Sequence, residues 1–241
     1  MRYLLTVQYN GEKYAGWQVQ PHYITIQGEI ERAIEIATKC KVNVIGSGRT
    51  DAGVNAVGQV AHFDIDKEIK NQDKFVYSLN GILSNDIKIL SMQESDIHAR
   101  FSAKKKTYMY KMYKSKVELP LKFKSLRVDE NIDLGKMQRC AKLLVGSHDF
   151  KNFCASNSAV DSTTRRIYSC KFVCKDNDID FFITGNGFLY KMVRNIVGLL
   201  LEVGKGKIQE KDFCEYAFGS KCNQKFTAPA QNLYLYCVKY Q

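Results

Sequence analysis

A glycine-rich stretch, Gly46–Phe63, places the strongest constraint on how this 241-residue chain can fold. Gly46, Gly48 and Gly53 allow positive φ and the close approach of another backbone, which predicts a tight loop between strands over Lys41–Ile45 and Val57–Ile65. The loop places Asp51 two residues after Arg49. A nearby guanidinium favours the ionised form of a carboxylate, and an ionised carboxylate suits a nucleophile. The alternative is an aspartate that only accepts hydrogen bonds from turn amides.

The glycine spacing excludes two common phosphate-binding motifs. A dinucleotide-binding Gly-x-Gly-x-x-Gly pattern would need its third glycine where Asp51 stands. A P-loop would need Gly-Lys-Ser or Gly-Lys-Thr at its end, and neither follows.

The charge of the chain indicates a polyanionic partner. Lys and Arg number 36 against 25 Asp and Glu, a net charge of +11. Between Arg100 and Arg127 there are ten Lys or Arg, one acid and five interleaved Phe or Tyr, a composition typical of RNA-binding surfaces. Within it, Lys104, Lys105 and Lys106 are candidates for binding the RNA backbone. The alternative is a solvated lysine face over a tyrosine-rich strand.

Eight cysteines and four histidines do not form a metal-binding pattern. No Cys-x-x-Cys pair occurs, and no histidine is close to a cysteine pair, so we expect no metal site. No segment has the apolar length that a bilayer requires, and the N-terminus alternates like a strand instead of resembling a signal peptide. We therefore expect a cytoplasmic protein without membrane association.

Hydrophobic periodicity predicts an α+β fold with mainly antiparallel pairing and two subdomains, 1–103 and 104–241. Thr25 and Asp73 are the expected N-caps of the first two helices. An apolar helix over Phe188–Val203 contains Arg194, which should either reach water or pair with a carboxylate, for which Asp51 is a candidate. Two more helices are predicted over Leu134–Val145 and Glu210–Phe218. The predicted strands are Arg2–Tyr9, Lys41–Ile45, Val57–Ile65, Asp86–Met92, Ala99–Lys114, Arg166–Lys175, Ile179–Thr184 and Leu233–Lys239.

With these residues, the chain resembles the bacterial tRNA pseudouridine synthase A family along nearly its whole length. Six ordered stretches carry the resemblance, which makes a chance match difficult. They are Gly16-Trp17-Gln18-Val19-Gln20, Gly48-Arg49-Thr50-Asp51-Ala52-Gly53-Val54, Gly58-Gln59-Val60, His98-Ala99-Arg100-Phe101-Ser102-Ala103, Gly187-Phe188-Leu189-Tyr190-Lys191-Met192-Val193-Arg194 and Leu233-Tyr234-Leu235.

The resemblance implies a cofactor-free isomerase that converts uridine to pseudouridine at nucleotides 38–40 of the tRNA anticodon stem-loop. It implies two α+β subdomains that share a central, mainly antiparallel sheet with a basic cleft, usually in a homodimer. Asp51 matches the family's catalytic nucleophile, and Arg49 and Arg194 would hold it ionised. Tyr108 matches the tyrosine that stacks on the flipped base, although an ordinary strand tyrosine is the alternative, and Leu233 matches the leucine that packs against the base.

Three residues depart from the family pattern. Asn55 stands where His is usual, and Ser84 replaces a usual Pro, which should affect only loop stiffness. Asn232 replaces a usual Gly, and Asn tolerates a left-handed φ better than most residues. Asn55 lies close to Asp51 in sequence and could contact RNA, so substrate choice is what these changes affect.

Two further readings remain open at the level of sequence. One is a paralogous pseudouridine synthase that acts on another RNA such as ribosomal RNA. The other is a non-catalytic RNA-binding module, against which the set Arg49, Asp51, Tyr108 and Arg194 argues, because binding alone needs no acid among phosphates.

Overall fold

The computed structural model describes residues 1–155, 161–220 and 226–241. These residues form two compact units, Met1–Lys104 with Tyr234–Gln241, and Lys105–Leu233. Each unit combines helices with a mainly antiparallel sheet, which confirms the predicted α+β class. The sequence grouped 104–241 as one subdomain, whereas the structure returns the last strand to the first unit, where it pairs with a strand of that unit.

The first unit follows the predicted order of strand, helix, strand, strand, helix, strand. Its sheet has the order β4-β1-β3-β10, and β2 pairs with β3. All of these pairs are antiparallel except β3 with β10. The elements are β1 (Arg2–Tyr9), α1 (Ile26–Thr38), β2 (Ile45–Gly46), β3 (Asn55–Asp64), α2 (Gln72–Ile82), β4 (Ile87–Glu94) and, at the chain end, β10 (Leu233–Lys239).

The second unit is organised around a long hairpin. Its sheet has the order β5-β9-β8-β7, all antiparallel, and β6 adds to β5 in parallel. Helix α4 is buried along most of its length and packs with α3, which also contacts β8. The elements are β5 (Lys105–Lys114), β6 (Leu126–Val128), α3 (Leu134–Lys142), β7 (Gly146–Asp149), β8 (Thr164–Lys175), β9 (Asp178–Gly185), α4 (Met192–Gly204) and α5 (Phe213–Phe218).

Two predicted strands are wrong at their N-terminal ends because side chains take the backbone amides. The strand predicted over Lys41–Ile45 is reduced to β2, and the amide of Val44 donates to the Glu31 carboxylate (2.9 Å). The strand predicted over Ala99–Lys114 begins only at Lys105. Before it, His98 Nδ1 accepts from the amides of Arg100 and Phe101 (both 3.2 Å), which forms a turn.

Helix boundaries also differ from the prediction. Asn71, not Asp73, caps α2, because the Asn71 side chain accepts from the amide of Lys74 (2.8 Å). Helix α4 begins only at Met192, because Lys191 has a φ of 58°, which is incompatible with a right-handed helix. The sequence does not predict β7, and α3 ends at Lys142 and not at the predicted Val145.

Within the described ranges, no helix has the length and apolarity to cross a membrane. Of the cysteines there, Cys140 and Cys170 are buried and Cys174 and Cys214 are exposed. Cys222 lies outside the described residues.

A buried histidine makes the first unit sensitive to acid. His62 is 1% exposed, and its Nδ1 accepts from the amide of Ala99 (3.1 Å). Burial, reinforced by Arg2 and His98, lowers the pKa of His62 to about 4. The unfolded state therefore binds more protons than the folded state between pH 6.5 and 4, and stability falls as the pH falls through that window.

We expect His62→Gln to flatten the pH dependence of unfolding, because glutamine can accept from Ala99 but does not titrate. The wild-type His62 contribution should fall by up to about 1.4 kcal/mol per pH unit within the window. Urea unfolding at pH 7, 6 and 5 measures it, with the exposed His22→Gln as the control. Equal pH dependence in all three proteins would contradict the assignment.

Candidate active site

The loop that carries Asp51, residues 49–54, has a backbone fixed from both ends. The amide of Trp17 donates to the carbonyl of Thr50, and the amide of Val54 donates to the carbonyl of Asp51 (both 3.1 Å). Gly53 has a φ of 78°, the left-handed conformation that the turn requires and that glycine adopts without strain. The expectation of a positive φ is confirmed for Gly53, but Gly46 and Gly48 do not have one.

A second loop, residues 10–24, packs directly on the Asp51 loop. Gly16, with a φ of 98°, approaches so closely that a Cβ there would lie 2.6 Å from the Thr50 carbonyl oxygen. The neighbouring Trp17 is 2% exposed, and a Cβ on Gly46 would lie within 2.6–2.8 Å of its indole ring. The two loops therefore constrain each other by contact between backbones.

Buried polar side chains complete this support. The Tyr9 hydroxyl hydrogen-bonds to Thr50 Oγ1 at 2.8 Å, and burial raises the pKa of Tyr9 well above its usual value. On the other side of the loop, Ser47 Oγ donates to Gln59 Oε1 (2.7 Å), and Gln59 Nε2 donates to the Gly48 carbonyl (2.9 Å). Buried bonds of this kind stabilise one geometry, because breaking one leaves an unsatisfied polar group.

The two charged residues of the loop are more exposed than the residues that support it. Arg49 is exposed and Asp51 is partly exposed, whereas Asn55 is 2% exposed. Asn55 Oδ1 accepts from the amide of Gly11 (3.1 Å) and so joins β3 to the loop 10–24. A carboxylate that reaches solvent from a fixed backbone has the accessibility and the preorganisation that a nucleophile needs.

Apart from Lys104, which belongs to the first unit, the other predicted site residues lie in the second unit. Arg194 Nε donates to the carbonyl of Ala228 (2.8 Å), and the amide of Ala228 returns a bond to the Arg194 carbonyl (3.1 Å). The hydroxyl of Tyr110 donates to the carbonyl of Pro229 (3.1 Å). These bonds fix the guanidinium and the segment that leads to Leu233.

Tyr108 and Leu233 are both buried residues of the second unit. Tyr108 is 8% exposed, and its ring meets Phe188 edge to face with centroids 5.1 Å apart. Leu233 is 5% exposed, and the preceding Asn232 lies in a single helical turn without the left-handed φ that the sequence allowed for. Lys104 and Lys105 are exposed, and Lys106 is partly exposed.

Sequence reasoning missed the contacts that join residues distant along the chain. Ser84, expected to affect only loop stiffness, hydrogen-bonds to the Tyr14 hydroxyl (2.9 Å) and so supports the loop 10–24. The sequence does not mark Tyr9 as a residue that supports the Asp51 loop, because a tyrosine in an alternating strand is common. Among the described residues, no three His, Cys, Asp or Glu side chains cluster as metal ligands would.

The sequence matches that of named proteins over almost the whole chain. A family model described as tRNA pseudouridine synthase matches residues 5–102 and 140–241. The proteins named tRNA pseudouridine synthase A in Caldicellulosiruptor bescii and in a Geobacillus species are each 42% identical to this chain, over 242 and 241 residues. These alignments cover 98% of this chain and 98% and 96% of the relatives. The Listeria monocytogenes protein of the same name is 40% identical over 248 residues, covering 100% of this chain and 99% of its own.

The chain belongs to the tRNA pseudouridine synthase family, and it is an isomerase. The loop that carries Asp51 and the segment that carries Arg194 both lie inside the matched ranges.

Proposed function

We propose that this enzyme isomerises uridine to pseudouridine in the anticodon stem-loop of tRNA, at nucleotides 38–40, with Asp51 as the nucleophile. The observation that carries the proposal is the Asp51 loop: a partly exposed carboxylate on a backbone bonded to Trp17 and Val54 and packed against Gly16. A structural aspartate would not need this support, because a turn requires only local amide bonds.

The reaction moves the glycosidic bond without loss of the base. The bond between ribose C1′ and uracil N1 breaks, the base turns, a bond between C1′ and C5 forms, and the C5 proton leaves while N1 gains one. A carboxylate can assist by attack on C1′ or on uracil C6, and both routes return a free carboxylate. Target uridines lie in a stacked stem-loop, so the nucleotide must be extruded to reach Asp51.

The other site residues have separate parts in the proposal. Arg49 and Arg194 supply guanidinium groups that stabilise the ionised Asp51. Tyr108 stacks on the extruded base, and Leu233 packs against it. For Asn55 we assign an indirect part in substrate binding, supported by its bond to Gly11, which shapes the loop 10–24.

The experiment is a pseudouridine map of unmodified tRNA and ribosomal RNA fragments incubated with the purified protein alone. Carbodiimide adducts of pseudouridine stop reverse transcription, and we expect stops in the anticodon stem-loop. Stops only in ribosomal RNA would identify the paralogous activity, and no stops in either RNA would favour the binding module.

Arg194→Lys tests the second unit's part in the chemistry. We expect kcat to fall about tenfold, because a single ammonium cannot reproduce the fork of a guanidinium whose Nε is already bonded to Ala228. Single-turnover kinetics on a tRNA transcript measures the rate. Arg139→Lys is the matched control, since Arg139 makes only a two-bond surface pair with Glu210 in the same unit. Equal rates in both variants would make Arg194 purely structural.

We also propose that the enzyme is a cytoplasmic homodimer, as the family resemblance implies. Light scattering on a size-exclusion column would give twice the 27.6 kDa of the chain.

A further inference from the structure

Two strands of the second unit carry an excess of positive charge. Strands β5 and β8 flank β9, and each has four Lys or Arg and no Asp or Glu. The acids of β9 are both near one end, where Asp178 pairs with Lys122 and Asp180 lies 3.7 Å from Lys111. The other end of β9 therefore has basic neighbours without compensating carboxylates from the sheet.

An aromatic ring lies at that uncompensated end. Tyr168, on β8, is 37% exposed. Lys105 Nζ reaches to 5.1 Å from the ring centroid, and Arg166 Cζ lies 5.7 Å from it. Strand β9, which lies between β5 and β8, ends nearby at Thr184 and Gly185. Lys105 and Arg166 are both exposed, as Tyr168 is.

The two cations make no ion pair with a carboxylate anywhere in the described part of the chain. Farther along the same strands, Lys171 Nζ lies 5.8 Å from the Phe182 centroid, which repeats the pairing of a cation with a ring. Of the two rings, only Tyr168 is exposed. Unpaired cations beside an exposed ring suit a ligand that has both phosphates and flat bases.

We propose that Tyr168, Lys105 and Arg166 form an RNA-contact surface on the second unit. An unpaired base stacks on the Tyr168 ring, and the two cations bind the phosphates on either side of that base. The inference rests on the proposed function only for the identity of the RNA, and it adds a binding surface formed by side chains outside the Asp51 loop.

The test compares ring and charge separately, in the Asp51→Asn background so that bound RNA is not converted. We expect Tyr168→Leu to weaken binding of an unmodified tRNA transcript about tenfold in fluorescence anisotropy, and Tyr168→Phe to stay within about twofold. Both variants should bind inorganic polyphosphate equally, because polyphosphate has no bases. Lys105→Gln and Arg166→Gln should each reduce the slope of log Kd against log salt by about one.

Lys116→Gln is the matched control for charge, since Lys116 is exposed and already lies near Glu130. Ultraviolet cross-linking followed by trypsin should place RNA on the peptide Ile167–Lys171, which contains Tyr168. Equal tRNA affinity in Tyr168→Leu and Tyr168→Phe would contradict the proposed surface. So would a Tyr168→Leu variant that loses polyphosphate binding as strongly as it loses tRNA binding. Failure of the proposed function has a different signature: the wild-type enzyme would form no pseudouridine in tRNA.

Discussion

Asp51→Asn should abolish pseudouridine formation and leave tRNA binding almost unchanged. The amide has the shape of the carboxylate but is a far weaker nucleophile, so we expect turnover to fall by at least about 10³-fold. Because the loop is fixed through backbone atoms and through Tyr9 and Gln59, its geometry should survive the change. Transcripts labelled with tritium at uracil C5 measure turnover directly, since that hydrogen is lost when C1′ bonds to C5.

The matched control is Asp86→Asn in the same unit. Asp86 accepts from Asn10 (3.3 Å) and makes a surface pair with Lys13, whose loss should alter stability by less than about 1 kcal/mol. Turnover should stay at the wild-type level. If Asp51→Asn releases tritium at a rate close to that of Asp86→Asn, Asp51 is not the nucleophile. If Asp51→Asn loses both turnover and tRNA affinity, Asp51 contributes to binding as well as to the reaction.

Elements with a single clear period were predictable from the sequence. The alternation of β1 and of β10 gave both strands with their observed ends, and Thr25 capped α1 as expected, with Thr25 Oγ1 accepting from Gly28 (3.3 Å). Hydrophobic periodicity indicates which side chains are buried, and burial of one face is what stabilises these helices and strands.

The errors arise where a side chain satisfies the backbone from a distance in sequence. Residues 99–104 alternate like a strand, but His62 and His98 take their amides, and no local pattern records that. The composition of the basic stretch from Arg100 to Arg127 predicts one RNA-binding surface. In the structure Lys111, Lys116, Lys122 and Arg127 lie within ion-pair distance of Asp180, Glu130, Asp178 and Glu118, so only part of the stretch is uncompensated.

The same limit applies to the candidate site. The sequence predicted the Asp51 loop from its glycines, because their φ freedom is a local property. It did not predict which residues support the loop, since Gly16 and Thr50 are far apart in the chain and come into contact only through the tertiary fold. Whether that support contributes to catalysis is tested by changing it without touching the carboxylate.

Gly16→Ala should reduce activity strongly although Gly16 carries no functional group. A φ of 98° strains any residue with a Cβ, and the new atom would lie 2.6 Å from the Thr50 carbonyl oxygen. That carbonyl also accepts from Trp17, so relief requires the Asp51 loop to move. We expect about 2 kcal/mol less stability and about 10²-fold lower kcat/KM, since a displacement near 1 Å is enough for such a loss.

Gly81→Ala separates this effect from the general effect of replacing a glycine. Gly81 lies inside α2 in the same unit, and a Cβ there meets nothing within 4 Å. Alanine should therefore raise stability by about 0.5–1 kcal/mol and leave kcat/KM unchanged. Both variants are assayed well below their melting temperatures, so that unfolding does not lower the measured rate. Wild-type kcat/KM in folded Gly16→Ala would mean that contact between the two loops does not position Asp51, whereas a loss confined to kcat would mean that it does.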